Sequence, residues 1–184
     1  MTTYEQYKFK SVFNDKQMRQ IRLGFENGLS ARQIEIYAQI EFDDGKMEQI
    51  RKGFEERLTE KEIAIYAKPE FDWFQRDQIR DGLKHRRITI DKVAIYAKPE
   101  FHFIQMDQIR KGFAKGLTIE QVKLYAKPEF GWQQMREIRY GFHTGLTIKQ
   151  VRRYAKVKID AFLMLEKRLR LLERMQKKQP VLDK

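Results

Sequence analysis

The 184-residue chain contains no cysteine. That absence excludes a disulfide framework, a thiolate metal site and a cysteine nucleophile. Histidine is almost as scarce, and His85, His102 and His143 show no metal-ligand spacing. Serine occurs only at Ser11 and Ser30, and neither sits in a nucleophile-elbow pattern. The ten glycines are dispersed and form no phosphate-binding loop. No run of about 18 apolar residues occurs, so no membrane span is expected. The start, Met1-Thr2-Thr3-Tyr4-Glu5, lacks the charged-then-apolar pattern of a secretory signal, which leads to the expectation of a cytosolic chain. Together these absences predict a protein that is not an enzyme and carries neither metal nor cofactor.

Positive charge, by contrast, is abundant. The chain has 38 Lys and Arg against 26 Asp and Glu, a formal charge of +12. An acidic partner is the natural counterpart: nucleic acid, a nucleoprotein or an acidic protein surface. The apolar share of 41% is enough for a core and too much for a disordered chain.

The sequence repeats itself. Ile-Arg pairs stand at Ile21-Arg22, Ile50-Arg51, Ile79-Arg80, Ile109-Arg110 and Ile138-Arg139, in steps of 29 or 30. Each is followed by a glycine (Gly24, Gly53, Gly82, Gly112, Gly141) and later by Tyr-Ala, beginning at Tyr37, Tyr66, Tyr96, Tyr125 and Tyr154. A Phe opens each unit: Phe13, Phe42, Phe71, Phe101 and Phe130. This organisation gives a lead over 1–12, five repeats over 13–41, 42–70, 71–100, 101–129 and 130–158, and a C-terminal segment over 159–184.

Each repeat reads as two helices. In the fourth, Met106, Ile109 and Phe113 share one helical face. Gly116 suits a C-terminal cap, and Thr118 with Gln121 forms a capping box for the second helix. Ser30/Gln33, Thr59/Glu62 and Thr147/Gln150 repeat that box. In the second helix Ile119, Val122 and Ala126 form the stripe, with Tyr125 on its edge. Ile36, Ile65, Ile95 and Leu124 face the other side, as a helix sandwiched between neighbours requires, and Arg153 takes that place in the last repeat. Helix pairs that cannot bury both faces alone do so by stacking. The fold class is therefore all-α, a short α-solenoid or compact αα-repeat domain plus a C-terminal helix. That last helix, striped by Phe162, Leu165, Leu169 and Leu172 and ended by Pro180, either caps the array or pairs two copies of the chain. The recurrent mid-helix glycine costs about 1 kcal/mol against Ala, which implies close helix approach. The recurrent arginines form either a structural ladder with Glu41, Glu70, Glu100 and Glu129 or a row that binds phosphates.

Differences between repeats carry the functional signal. Of the net +12, +9 lies in residues 130–184. Arg136, Arg139, Lys149, Arg152, Arg153, Lys156 and Lys158 belong to the last repeat, and Lys167, Arg168, Arg170 and Arg174 follow. A block this lopsided is either a solvated face or an electrostatic footprint for phosphates or an acidic protein. The residue two after the opening Phe changes from Asp15 and Asp44 to Trp73, Phe103 and Trp132, either for stacking on a partner or for packing on the preceding repeat. The third repeat has an extra residue within Lys84-His85-Arg86-Arg87 and has Arg76 in place of Met, changes that read as a basic projecting turn or as drift.

The pattern YAKPEF-x-W-x-QM-x-x-IR-x-GF, here Tyr125 to Phe142, resembles tandem repeats of uncharacterised proteins from phages, plasmids and integrative elements of Gram-positive gut bacteria. Repeats, length and charge also look like a type II-A anti-CRISPR protein. That resemblance implies action in the bacterial cytoplasm, where the chain would block a guide-loaded Cas9-type nuclease or other nucleoprotein without catalysis. Leu117-Thr118-x-Glu120-Gln121-Val122 with Gln134-Met135 is similar to TAL-effector repeats, although the constant Lys-Pro-Glu-Phe departs from their variable base-reading loop. The remaining alternatives are direct, sequence-tolerant binding to double-stranded DNA or RNA and a scaffold that forms homo-oligomers through the C-terminal helix.

Overall fold

A computed structural model describes residues 4–8 and 12–177. Among the described residues there are twelve α-helices and no strand, and no helix is long and apolar enough to cross a membrane. Pro180, expected to end the last helix, lies outside the described residues. The chain divides into two compact units, Met1–Pro99 and Glu100–Lys184.

The first unit begins with α1 (Tyr4–Lys8), which packs on α2 and buries Tyr7. Three helix pairs follow: α2 (Asp15–Glu26) with α3 (Ala31–Tyr37), α4 (Asp44–Glu55) with α5 (Glu60–Tyr66), and α6 (Trp73–Leu83) with α7 (Ile90–Val93). The second unit holds α8 (Phe103–Ala114) with α9 (Ile119–Lys123), α10 (Trp132–His143) with α11 (Ile148–Val151), and α12 (Ala161–Gln176). Within each unit the longer helices pack side by side: α2, α4 and α6 in the first, α8, α10 and α12 in the second.

The second helices start where the capping boxes lie. Ser30, Thr59, Thr118 and Thr147 each accept from the backbone three residues on, and the Gln or Glu there accepts from the cap's own N–H. His102 caps α8, its Nδ1 accepting from the Ile104 N–H at 3.4 Å. The first helices of four repeats end in a turn whose Leu N–H returns to the repeat glycine's carbonyl, as in Leu117 to Gly112 at 3.0 Å. This closure needs a left-handed residue. Gly28, Gly116 and Gly145 supply it, and Arg57 does so at φ 67° without being glycine. The extra residue of the third repeat solves the same problem differently. Its turn closes through Ile88 N–H to the His85 carbonyl, and no left-handed residue is used.

The tyrosines occupy the centre of each repeat. Tyr37, Tyr66, Tyr96, Tyr125 and Tyr154 are fully buried, while Ile119, expected on the stripe, is 38% exposed. The stripe reading thus put Tyr125 on an edge where it is central. Each phenol lies over the repeat glycine and donates to the carbonyl four residues before it, at 3.1 Å from Tyr37 to Gln20 and 3.3 Å from Tyr154 to Glu137. A Cβ on Gly24, Gly112 or Gly141 would sit 2.0 Å from the tyrosine oxygen. That is the close approach the glycine pattern implied. Burial holds the Tyr125 phenol well above its usual pKa, so it stays a neutral donor.

Two side-chain devices join successive repeats. The first is a glutamine strap. Gln134 accepts from Gly131 N–H at the start of α10 and donates through Nε2 to the Val157 and Ile159 carbonyls of the following segment, at 2.8 and 2.6 Å. Gln105 does the same with the Pro128 and Phe130 carbonyls, and Gln17 reaches the Phe42 carbonyl at 2.7 Å. In the second repeat this position is Lys46, which reaches only the Pro69 carbonyl at 3.5 Å. Arg76 covers the deficit. It is fully buried, donates to the Phe71 and Lys68 carbonyls, and lies 5.9 Å above the Phe42 ring. Burial lowers its pKa, against Asp43 and Asp72, which raise it. Arg76 is thus an internal tie, and the reading of it as part of a projecting basic turn is corrected.

The second device is an arginine rung. Arg51 donates to Gln20 Oε1 at 3.1 Å, Arg80 to Gln49 Oε1 at 2.5 Å, Arg139 to Gln108 Oε1 at 3.1 Å and Arg168 to Glu137 Oε2 at 3.0 Å, each across 31 positions. A ladder exists, but its acceptors are these residues; Glu41, Glu70, Glu100 and Glu129 are exposed. Arg168 on this ladder places α12 in the register of a sixth first helix. Asp160 takes the N-cap, and Met164 is as completely buried as Met135 and Met106.

Candidate nucleic-acid interface

The altered sixth first helix, α12, forms one wall of the site. In register with the repeats, Lys167 stands where Ile138 does, Arg170 where Gly141 does and Leu163 where Gln134 does. Each change removes a feature that would receive a further repeat. Lys167 replaces an apolar core residue, Arg170 fills the seat of a tyrosine, and Leu163 lacks the strap. These three changes set α12 apart from the other first helices.

The space that a further second helix would take is an open groove. Arg153, Tyr154, Lys167, Arg170, Leu171 and Arg174 line a cavity of about 230 Å³. It adjoins one of about 440 Å³ that shares Arg153, Leu171 and Arg174 and adds Gln150, Met175 and Lys177. Arg153 sits in the register of Ile65, which lines an apolar surface groove with Ile90 and Ala94 in the first unit. That interior groove also has Lys61 and Lys68 on its lining, so the end of the array differs in having Arg153 in place of the isoleucine and in adding the cations of α12. No carboxylate lines either cavity. Glu166 pairs only loosely with Arg170, at 3.9 Å with Arg170 71% exposed. Surface pairs of this kind contribute little, so the guanidinium is available to a ligand.

The structure sorts the sequence candidates into groups. It brings Arg153, Arg170 and Arg174 together in the groove. It takes Arg139 and Arg168 out of the free set. Arg139 is 7% exposed and bonded to Gln108, and Arg168 is bonded to the buried Glu137 carboxylate. Their guanidinium carbons stand 4.7 and 5.7 Å from the Tyr140 ring centroid. Both are structural ties, which corrects their reading as partner-binding residues. Arg136 lies 5.6 Å from the Trp132 ring and 3.2 Å from Glu137, half-exposed. Arg152 makes a loose contact with Glu120 at 3.9 Å. Lys149, Lys156 and Lys158 are exposed outside the groove lining.

Arg86 and Arg87 are exposed on the turn after α6 in the first unit, which does not contain the groove. Trp73 belongs to the same unit. It is 42% exposed, stacks edge-on with Phe74 at 5.1 Å, and lies against the preceding repeat, where a Cβ on Gly45 would be 3.5 Å from it.

A second basic opening escaped the sequence reading. Lys111 on α8, Lys115 at its C-cap, and Arg139, Tyr140 and His143 on α10 line about 600 Å³. Lys111/Lys115 and Tyr140/His143 lie four and three residues apart, the spacing of one helical face. That spacing is the signal that would have found them. Among the described residues no group of three His, Cys, Asp or Glu converges as metal ligands. No protein-family model matches the chain, and comparison with curated proteins and with solved structures finds no match.

Proposed function

We propose that the chain is a non-enzymatic helical-repeat binding protein whose C-terminal groove takes the phosphate backbone of a nucleic acid. The observation that supports this reading is the convergence of Arg153, Lys167, Arg170 and Arg174 around one carboxylate-free groove, Arg153 and Lys167 standing where other repeats have apolar residues. Guanidinium groups suit phosphate oxygens because their planar donors bind in pairs. Tyr154 and Leu171 give the groove a partly apolar floor, against which the arginine stems can pack. Nothing in such a groove reads base edges, so binding is sequence-tolerant and governed by counterion release.

Fluorescence anisotropy with a short labelled duplex tests the reading. Affinity should fall with salt, and Arg153→Ala, Arg170→Ala and Arg174→Ala should each reduce the log–log slope by about one. A slope untouched by all three substitutions refutes the groove. Under the resemblance to type II-A anti-CRISPR proteins, the nucleic acid is the one held by a guide-loaded nuclease. The same variants should then restore target cutting that the parent chain suppresses, and undiminished cutting at large excess of the parent chain would remove that version.

A further inference from the structure

The outer face of α12 departs from that of every other first helix. Phe162, Leu165, Leu169 and Leu172 lie three, four and three residues apart, which puts them in one row along the helix. In the repeats that row is largely charged. Where Leu165 stands, the five first helices have Arg19, Glu48, Asp77, Asp107 and Arg136. Where Leu169 stands, the middle three have Lys52, Asp81 and Lys111. Lys52 pairs along its own helix with Glu48, and Lys111 with Asp107, both at 2.6 Å. No repeat is apolar at all four positions, and α12 is. α10 packs on α12, and the buried Met164 and the Arg168 rung mark the covered side. The row lies on the other side. Phe162 is 70% exposed and Leu169 46%, with Leu165 and Leu172 half-buried. A contiguous apolar row in a place that the fold otherwise keeps polar marks an interaction surface.

We propose that this row is the seam through which two copies of the chain pair, α12 against α12 in antiparallel orientation. Spacing of three, four and three is that of a two-helix seam, and α12 supplies both halves of it. Antiparallel alignment about the helix centre sets Phe162 against Leu172 of the second copy and Leu165 against its Leu169. The charges beside the row select this orientation. Glu166, Arg170 and Glu173 lie along one edge. The other edge has Arg168, which is held by the buried Glu137 and is not free to cross. Parallel helices would bring these unlike edges together and leave Glu166 without a counter-charge. Antiparallel helices bring like edges together. Glu166 then faces Arg170 of the second copy, and Arg170 faces its Glu166, so the surface is self-complementary, as a two-fold interface requires. Within one copy that pair is loose, at 3.9 Å, and free to exchange. Arg170 stands on the border between seam and groove. Lys167, Leu171 and Arg174 line the basic groove from the side of α12 away from the row, so pairing leaves the groove open and puts two of them on one particle. A seam of one helix about 24 Å long is smaller than the standard interface of about 1,600 Å², so the pairing is micromolar rather than nanomolar.

Sedimentation velocity of the full chain, from micromolar to millimolar concentration, is the test. The mass should rise with concentration from that of the 22.3 kDa chain toward twice that value. Phe162→Asp/Leu169→Asp should hold the chain monomeric throughout, with circular dichroism confirming the fold, since both side chains are exposed already. Ile119→Asp, at an exposed apolar position on α9, should leave pairing unchanged, as should Arg153→Ala/Arg174→Ala in the groove. Glu166→Arg and Arg170→Glu should each weaken pairing roughly fivefold, and the two together should restore it. Failure of the double exchange to restore pairing overturns the antiparallel seam. A dimer that survives Phe162→Asp/Leu169→Asp overturns the row as its basis. A full chain that stays monomeric at the highest concentration overturns the proposal, whether residues 178–184 or an unrelated protein cover the row instead. None of these results alters the salt slopes that test the groove.

Discussion

The substitution Gly112→Ala places a methyl group 2.0 Å from the Tyr125 hydroxyl oxygen. Carbon atoms in good contact lie about 3.5–4.0 Å apart, so the tyrosine must shift. Overpacking of this size costs about 1–3 kcal/mol. Alanine returns about 1 kcal/mol of helix propensity. The net expectation is a loss of about 0–2 kcal/mol. The substitution Tyr125→Phe removes the clashing atom. The next nearest atoms, Tyr125 Cζ and Leu117 Cδ1, both stand at 3.4 Å, an ordinary contact. Tyr125→Phe alone should cost only about 0.5–1.5 kcal/mol, because its bond to the Gln108 carbonyl is long, at 3.5 Å. In the Tyr125→Phe background Gly112→Ala should therefore stabilise, by about 1 kcal/mol. The coupling energy of the cycle comes to about 1–3 kcal/mol, within the range for residues in contact. Urea unfolding followed by circular dichroism measures all four corners, provided the m-value is unchanged. A coupling below about 0.5 kcal/mol would refute the tyrosine seat as the reason for the repeated glycine.

Other outcomes follow from the same geometry. Arg76→Met alone should lose about 1–3 kcal/mol, because the Phe71 carbonyl loses its donor, while the pair Lys46→Gln/Arg76→Met restores the strap and recovers most of it; urea midpoints of the two variants decide this. Arg57→Gly should stabilise by about 1 kcal/mol by relieving the left-handed backbone at φ 67°, and an unchanged melting temperature would contradict it. His143 has a folded-state pKa below its unfolded value, so the unfolded chain takes the proton more readily. Stability should then fall as pH drops below about 6.5, and His143→Gln should fall less over pH 7.5 to 5.5 in parallel urea titrations.

The repeat period, the helix pairs and the caps were legible because each rests on neighbours within a few positions. Thr118 and Gln121, or Gly116 and Leu117, act locally, and local chemistry is printed in order along the chain. The rungs were not legible. An arginine bonded to a glutamine 31 positions earlier has no periodic signature of its own, and charge alone suggested carboxylate partners such as Glu129. The same blindness put Arg139 and Arg168 among the free cations. The sixth first helix was hidden because Lys167 and Arg170 replace the Ile and Gly that marked the other repeats. Those two substitutions are also what make the groove basic. The clustering of positive charge toward the C-terminus was visible in the sequence. Which of the charges share a groove depended on α12 taking a repeat register that its altered residues disguise.

The glutamine strap and the arginine rung point in opposite directions along the chain. Apart from the Lys46/Arg76 junction, a repeat within a unit gives a strap forward and receives a rung from ahead, so these junctions are built from the same two halves. A whole repeat could therefore be duplicated or deleted inside the array and leave matched junctions behind it. The C-terminal end offers no such freedom, since Leu163, Lys167 and Arg170 no longer present the halves a newcomer would need. An array that changed length in this way would keep its charged end, so its reach could change while the C-terminal groove stayed the same.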